Sequence, residues 1–196
     1  MHVSVSAKNS KMLSVASVSL LPIVDCGAAA QHCGVKCYAR KMMTYRPNCG
    51  DAWSRNSILA RTDPDRYFAE IADWIRRRRK PVSMFRFHVS GDFLDQDYVD
   101  RACKLAAAFP SIRFLAFTKR FDLDYADRPD NFAIVFSAWP TMDVPPRIDG
   151  IAVAWMQDGS ETRIPDTAIT CHGGCEHCGM CWSAGKIGMD VVLPEH

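Results

Sequence analysis

The stretch "VSMFRFHVSGDFLDQDYVDRACKLAAAFPSIRFLAFT" (residues 82–118) decides the fold class. Residues 82–89 and 112–118 are short apolar runs of the kind that form buried strands. Between them, Asp95 stands where a helix N-cap belongs, and Tyr98, Ala102, Leu105, Ala106 and Phe109 recur on one helical face. Pro110 stops that helix. Strand, helix, strand at this spacing requires a parallel pair with a crossover, so the class is α/β.

Outward from this unit the pattern repeats in weakened form. Residues 132–138 and 150–155 read as further strands, and 15–23 as an earlier one. Asp63 caps a second helix with Pro64 in its first turn, and Tyr67, Phe68, Ile71, Trp74 and Ile75 fall on its inner face. The later connections are poor in helix: 119–131 has room for a short one, and 139–149 carries Pro140, Pro145 and Pro146. The expectation is a shortened, open, barrel-like (βα) parallel sheet rather than a complete eight-fold barrel, with cysteine-rich loops at both ends of the chain. Neither a repeat nor a low-complexity linker divides residues 1–196, so one domain is expected, its parallel strand core at 82–155.

Composition narrows the class. Apolar residues make up 48% and charged residues 23%, a globular balance. A formal net charge of +2 gives no general attraction to nucleic acid. The basic run at 76–80 reads as a solvated helix end, with a phosphate or nucleic-acid contact as the alternative. Lys8 and Lys11 before "MLSVASVSLLPIV", with Ala28, Ala29 and Ala30 after it, imitate a secretory signal. Serines interrupt that run, and cleavage there would separate Cys26 from Cys33 and Cys37. No apolar run reaches the roughly 18 residues of a membrane span. The expectation is a cytoplasmic protein whose thiols stay reduced and bind metal.

Seven of the nine cysteines fall in two sets. Residues 171–182, "CHGGCEHCGMCW", place Cys171, Cys175, Cys178 and Cys181 at spacings of three, two and two intervening residues. Structural zinc usually takes two pairs separated by a dozen or more residues. The repeated short spacing instead matches the way ferredoxins wrap a [4Fe–4S] cube, leaving zinc as the alternative. The loop at 26–49 holds Cys26, Cys33 and Cys37. Three thiolates leave one iron of such a cube open to a small molecule, unless Cys49 or His32 closes the site. One or two clusters are thus expected, the C-terminal one serving structure or electron relay. Cys103 falls on the inner face of the helix capped by Asp95 and reads as an apolar core residue.

The end of the first loop, "CYA" (37–39), resembles the cluster loop of radical S-adenosylmethionine proteins, in which an aromatic residue, here Tyr38, neighbours a ligating cysteine. There the next strand usually ends in Gly-Gly-Glu; here it ends in Ser90, Gly91 and Asp92. The resemblance implies that these three hold the amino group of the methionine moiety, and that Thr118, Lys119 and Ser137, at later strand ends, line the same mouth. The loop spacing of six and three differs from the common three and two. Over most of the chain, "SLLP", "CYAR", "FRFHVSGDF", "FLAFTKR", "VFSAWP", "VAWMQDG" and "CGMCW" are similar to the phage gene product 88 family. That resemblance implies a phage or prophage origin, hence a host cytoplasm, and transfers no activity.

The leading expectation is a radical S-adenosylmethionine-like enzyme of unknown substrate, with a macromolecular substrate or an electron donor as partner. The alternatives are a non-catalytic redox sensor binding a host factor or nucleic acid, and a cluster acting as Lewis acid. His88 reads as a buried, hydrogen-bonded core histidine, and His172 and His177 as groups that donate hydrogen bonds or face solvent, with ligation as the alternative. Trp139 and Trp155 read as core, while Trp182 could stack on a base. Lys119 and Arg120 could bind an anion or stay solvated.

Overall fold

The computed structural model describes residues 2–7 and 12–195, so Lys8 and Lys11 lie outside the described residues. In chain order the strands are β1 (Val5–Ser6), β2 (Ala16–Val18), β3 (Met84–Phe87), β4 (Arg113–Thr118), β5 (Phe132–Ala138), β6 (Ala152–Gln157), β7 (Ile169–Thr170) and β8 (Val191–Pro194). The helices are α1 (Ala30–Cys33), α2 (Tyr38–Tyr45), α3 (Pro47–Thr62), α4 (Pro64–Arg76), α5 (Gln96–Ala107) and α6 (Cys175–Cys178), with 3-10 turns at Gly27–Ala29 and Met180–Trp182.

The strands form one mixed, mostly parallel sheet in the order β1-β2-β3-β4-β5-β6-β8-β7. Only β1 runs antiparallel, against β2. The sheet is open, with β1 and β7 as its edges. Asp63 caps α4 by accepting from the Arg66 amide at 3.1 Å, and Asp95 caps α5 by accepting from Tyr98 at 2.8 Å. α5 ends at Ala107, before Pro110. Tyr67, Phe68, Ile71, Tyr98, Ala102 and Cys103 from these helices pack on Phe85, Phe87, Phe114, Phe132 and Phe136. Alternation along β4 sends Leu115 and Phe117 to the other face, where Met84, Val135, Ala154 and Trp182 form a second apolar cluster.

Loops replace helices over the second half of the helix-bearing face. The Trp155 ring has the Arg147 and Arg163 guanidinium carbons 5.9 and 5.8 Å from its centroid. Its indole Nε1 donates to the buried Asp190 carboxylate at 2.8 Å, which also accepts from the Val153 amide and, in bidentate fashion, from Arg147. Arg163 donates to the carbonyls of Trp139 and Met142 and pairs with the buried Glu161. These arginines tie 139–149 and 158–168 onto the sheet where a full (βα) unit would place a helix.

β1, β7 and β8, and helices α1, α2, α3 and α6, go beyond the elements read from the sequence. The C-terminal cysteines therefore precede a last strand. Cys49, the alternative fourth thiol of the first loop, lies in the first turn of α3. Trp139, read as core, is half-buried instead: it follows the carboxyl end of β5, with the Lys119 ammonium 6.0 Å from its ring centroid. The basic run begins at the last residue of α4: Arg76 and Arg77 pair with Asp73, and Arg76 and Arg78 lie over the rings of Phe109 and Trp74. No described helix is long and apolar enough to cross a membrane.

Candidate functional site

The first cysteine loop leaves β2 at its carboxyl end, the edge where parallel sheets receive ligands. Asp25, 2% exposed, sets its path. The Asp25 carboxylate accepts from the Leu21 amide at 2.9 Å, from Arg61 Nε at 2.9 Å and from the Ser57 hydroxyl, the last two on α3. Its backbone carbonyl accepts from the Asp92 amide at 3.0 Å, which places the loop after β3 directly against the cysteine loop. Further on, His32 bonds Thr141 at 3.1 Å, and Lys36 pairs with Asp158 and Glu195. Residues 25–37 thus arch over the carboxyl ends of β3, β5, β6 and β8.

Cys26 precedes the first 3-10 turn, Cys33 closes α1, and Cys37 is the N-cap of α2; all three are half-buried. Desolvation pushes the Cys26 thiol up to about 11; the negative Asp92 and Cys33 add to this, and Lys119 opposes it. Cys33 is raised by burial, against Lys119, with Cys37 adding to the rise. Both thiols therefore sit within electrostatic reach of one cation and one carboxylate from neighbouring strand ends. The Tyr38 ring is 48% exposed, but its hydroxyl turns inward to donate to the Val89 carbonyl. Desolvation raises its pKa; Arg86 opposes the rise, and Cys37, Cys26 and Cys33 add to it.

Asp92 is buried, and its carboxylate accepts from Thr118 Oγ1 at 2.6 Å and from the amides of Phe93 and Lys119 at 2.8 Å each. Burial raises its pKa against these donors. The turn before it is strained. His88 has φ of +58°, unusual for a residue with a side chain. At Gly91 φ is +79°, and a Cβ there would lie 2.7 Å from Leu20 Cβ, so the Ser90–Gly91 backbone rests directly on Leu20. The Ser90 hydroxyl is buried without a hydrogen-bond partner. His88 is buried as expected, with Nε2 3.2 Å from the Tyr98 hydroxyl and Nδ1 unpartnered. Ser137, on the other face from Phe136, is half-buried near the carboxyl end of β5.

The second set, with α6 and the 3-10 turn at Met180–Trp182, crosses the sheet face opposite α4 and α5. Cys171 follows β7, and its amide donates to the Val192 carbonyl at 2.8 Å. Cys171, Cys175 and Cys181 pack against the second apolar cluster, whereas Cys178, His172 and His177 are exposed. Trp182, proposed from sequence as a stacking residue, is buried there instead, its indole donating to the Arg113 carbonyl at 2.9 Å. Desolvation pushes the Cys181 thiol up to about 12, with Cys171, Cys175 and Cys178 adding to the rise and Arg86 opposing it. The four thiols are therefore mutual neighbours. Arg86 lies within reach of this set and of Tyr38, with its guanidinium 4.6 Å from the Phe117 ring centroid and its Nε buried and unpartnered.

The structure thus brings Cys26, Cys33, Cys37, Tyr38, Asp92, Thr118 and Lys119 to one mouth, and Cys171, Cys175, Cys178 and Cys181 to one face. Among the described residues no group of three or more His, Cys, Asp or Glu side chains is spaced to hold a single metal ion. Asp25 and Arg86 join these sites without belonging to either cysteine motif. Asp25 directly precedes Cys26, and Arg86 interrupts the apolar run "MFRF" of a buried parallel strand, where a charge is unusual.

No solved structure matches the chain. The chain is 26% identical over 192 residues to the Gene 88 protein of Mycobacterium phage D29, covering 83% of this chain and 80% of that protein. The family model described as Gene product 88 matches residues 3–184. With nearly the whole sheet and both cysteine sets inside that match, the chain belongs to the gene product 88 family of phage proteins.

Proposed function

We propose that this phage protein is an iron–sulfur enzyme of the radical S-adenosylmethionine type, acting in the host cytoplasm. The observation that carries the reading is the arch of Cys26, Cys33 and Cys37 over the carboxyl ends of the parallel strands, flanked by Asp92 and Lys119. Cys26, Cys33 and Cys37 would hold one [4Fe–4S] cluster, and Cys171, Cys175, Cys178 and Cys181 a second, saturated one. The first, when bound, supplies an open iron for the amino and carboxylate groups of S-adenosylmethionine and an electron for its cleavage. Around it, Lys119 offsets thiolate charge, and Tyr38, anchored to Val89, holds the start of α2 against the loop. The backbone of Ser90 and Gly91, with the free lone pairs of Asp92, would accept hydrogen bonds from the cofactor's amino group.

A second reading, a non-catalytic thiol protein that senses redox state, is favoured by one observation. Both Asp92 oxygens already accept protein hydrogen bonds, which makes this carboxylate a tie between the loop after β3 and the end of β4. Anaerobic purification with iron, sulfide and zinc analysis, followed by electron paramagnetic resonance with and without S-adenosylmethionine, separates the two. Two cubes correspond to about eight irons per chain, with a spectrum that changes on adding the cofactor. Stoichiometric zinc without iron removes the enzyme reading. A cluster spectrum indifferent to S-adenosylmethionine favours Lewis-acid or sensing chemistry.

A further inference from the structure

From Cys26 to Cys49 the chain carries Lys36, Arg40, Lys41 and Arg46 and not one acidic residue, in a protein whose net charge is only +2. α2 and the turn after it display most of this charge. Arg40, Lys41 and Arg46 are exposed, and none of the three forms an ion pair among the described residues. The contrast with the run at the end of α4 is direct, since there Arg76 and Arg77 are paired with Asp73 and Arg76 and Arg78 rest on aromatic rings.

The same helix exposes aromatic surface. Tyr45 is 83% exposed and Tyr38 48%. Tyr38, Lys41 and Tyr45 stand three and four residues apart, so they follow one another along one side of α2. The two residues are about 10 Å apart along the helix axis, with the Tyr38 hydroxyl turned in to Val89 and Tyr45 projecting into solvent. Only Ala39 of α2 is buried, so the helix contributes little to the core. An exposed tyrosine costs solubility, and an unpaired cation beside it gains nothing from the fold. Together, alternating flat rings and free cations match the two needs of a single strand: stacking for bases and neutralisation for phosphates. An acidic protein surface would use the cations but leave the ring spacing without a partner.

We propose that α2 and the turn to Arg46 form a binding surface for single-stranded nucleic acid, with Tyr45 stacking a base and Arg40, Lys41 and Arg46 contacting phosphates. Because Cys37 is the N-cap of α2 and Tyr38 its first residue, the bound strand runs to the rim of the cysteine-lined mouth. That the strand is also the substrate rests on the enzyme reading above; that it binds does not.

The test is fluorescence anisotropy of short labelled oligothymidylate, oligouridylate and a matched duplex, across a salt series, with iron content measured on the same samples. The expected result is binding to a single strand at low salt. The triple variant Arg40→Gln, Lys41→Gln, Arg46→Gln then weakens binding at least about tenfold and reduces the slope of log affinity against log salt by about 2. Tyr45→Ala weakens binding about tenfold with the slope unchanged. The variant with Arg76, Arg77, Arg78 and Arg79 changed to glutamine binds like wild type. Circular dichroism confirms folding of each variant, and Tyr45→Phe, which keeps the ring, retains affinity. No binding at low salt, tighter binding of duplex, or loss confined to the 76–79 variant overturns the proposal. Binding by a chain that holds no iron leaves this surface standing and removes the cluster reading alone.

Discussion

The Asp92 amide donates to the Asp25 carbonyl at 3.0 Å, so the loops that follow β2 and β3 touch through their backbones. Each of these aspartates also spends its carboxylate on a neighbouring element: Asp25 on α3, Asp92 on the end of β4. The start of the first cysteine loop is therefore braced by two buried acidic residues.

Asp25→Ala leaves the Ser57 hydroxyl and the Arg61 guanidinium without their shared acceptor. Hydrogen bonds to a buried carboxylate are worth enough that a loss of about 2 kcal/mol is expected. Urea denaturation measures it, with a fall in melting temperature of about 4–8 °C for a chain of this size. An unchanged midpoint would show that the brace contributes nothing.

Gly91→Ala must place a methyl group on Leu20 while holding a left-handed backbone, and about 2 kcal/mol of destabilisation is expected. Gly159 supplies the control. Its φ is +96°, yet nothing lies within 4 Å of the position a methyl group would take, so Gly159→Ala carries the backbone cost alone, about 1 kcal/mol. Equal effects at the two sites would refute the close approach to Leu20.

His88 links stability to pH. Burial, with Arg86 nearby, depresses its pKa from 6.5 to about 3. Between those values the unfolded chain binds a proton that the folded chain refuses, so stability rises with pH across this window and is lost as pH falls through it. Asn tolerates a left-handed backbone, so His88→Asn should fold and should flatten the stability difference between pH 6.5 and lower pH. The readout is the variant minus wild-type profile, because carboxylates titrate in the same window; parallel profiles would exclude His88 as the source.

Asp190→Ala strips the acceptor from the Val153 amide, the Trp155 indole and Arg147 together. A loss of about 2 kcal/mol is expected, because the buried Val153 amide and Trp155 indole lose their acceptor, while Arg147 is exposed enough to turn to water. Tryptophan fluorescence should report the freed Trp155 before global unfolding. A variant as stable as wild type would mean that the loops over β6 do not depend on this acceptor.

Cys181→Ala and Cys178→Ala should each lower iron content and melting temperature in anaerobically prepared protein, since filling a thiolate site is coupled to folding. In metal-free protein the two should differ. Cys181 packs on the apolar cluster and loses buried contacts on truncation, whereas Cys178 is exposed and loses none. Calorimetry with and without iron distinguishes the two contributions.

The parts of the fold that could be read in advance are those whose signals are local. Asp63 and Asp95 cap the helices they precede, and apolar period alone marks β3 to β6 and the inner faces of α4 and α5, because capping and amphipathicity act within a few residues. The spacing of the cysteines also groups them into their two sets, since thiols a few residues apart cannot be far apart in space. α3 escaped because its buried face includes Asn56 and Ser57, polar residues satisfied by Ser4, Ser19 and Asp25 rather than by an apolar stripe. β1 and β7, two residues each, carry no period to read. Long-range packing alone sets the Asp92 amide on the Asp25 carbonyl, puts Arg86 within electrostatic reach of both Tyr38 and Cys181, and pairs Lys36 with Glu195 just after β8. Those juxtapositions join residues tens of positions apart. They follow from parallel register and loop closure, which the packing of the whole sheet sets and no local pattern encodes.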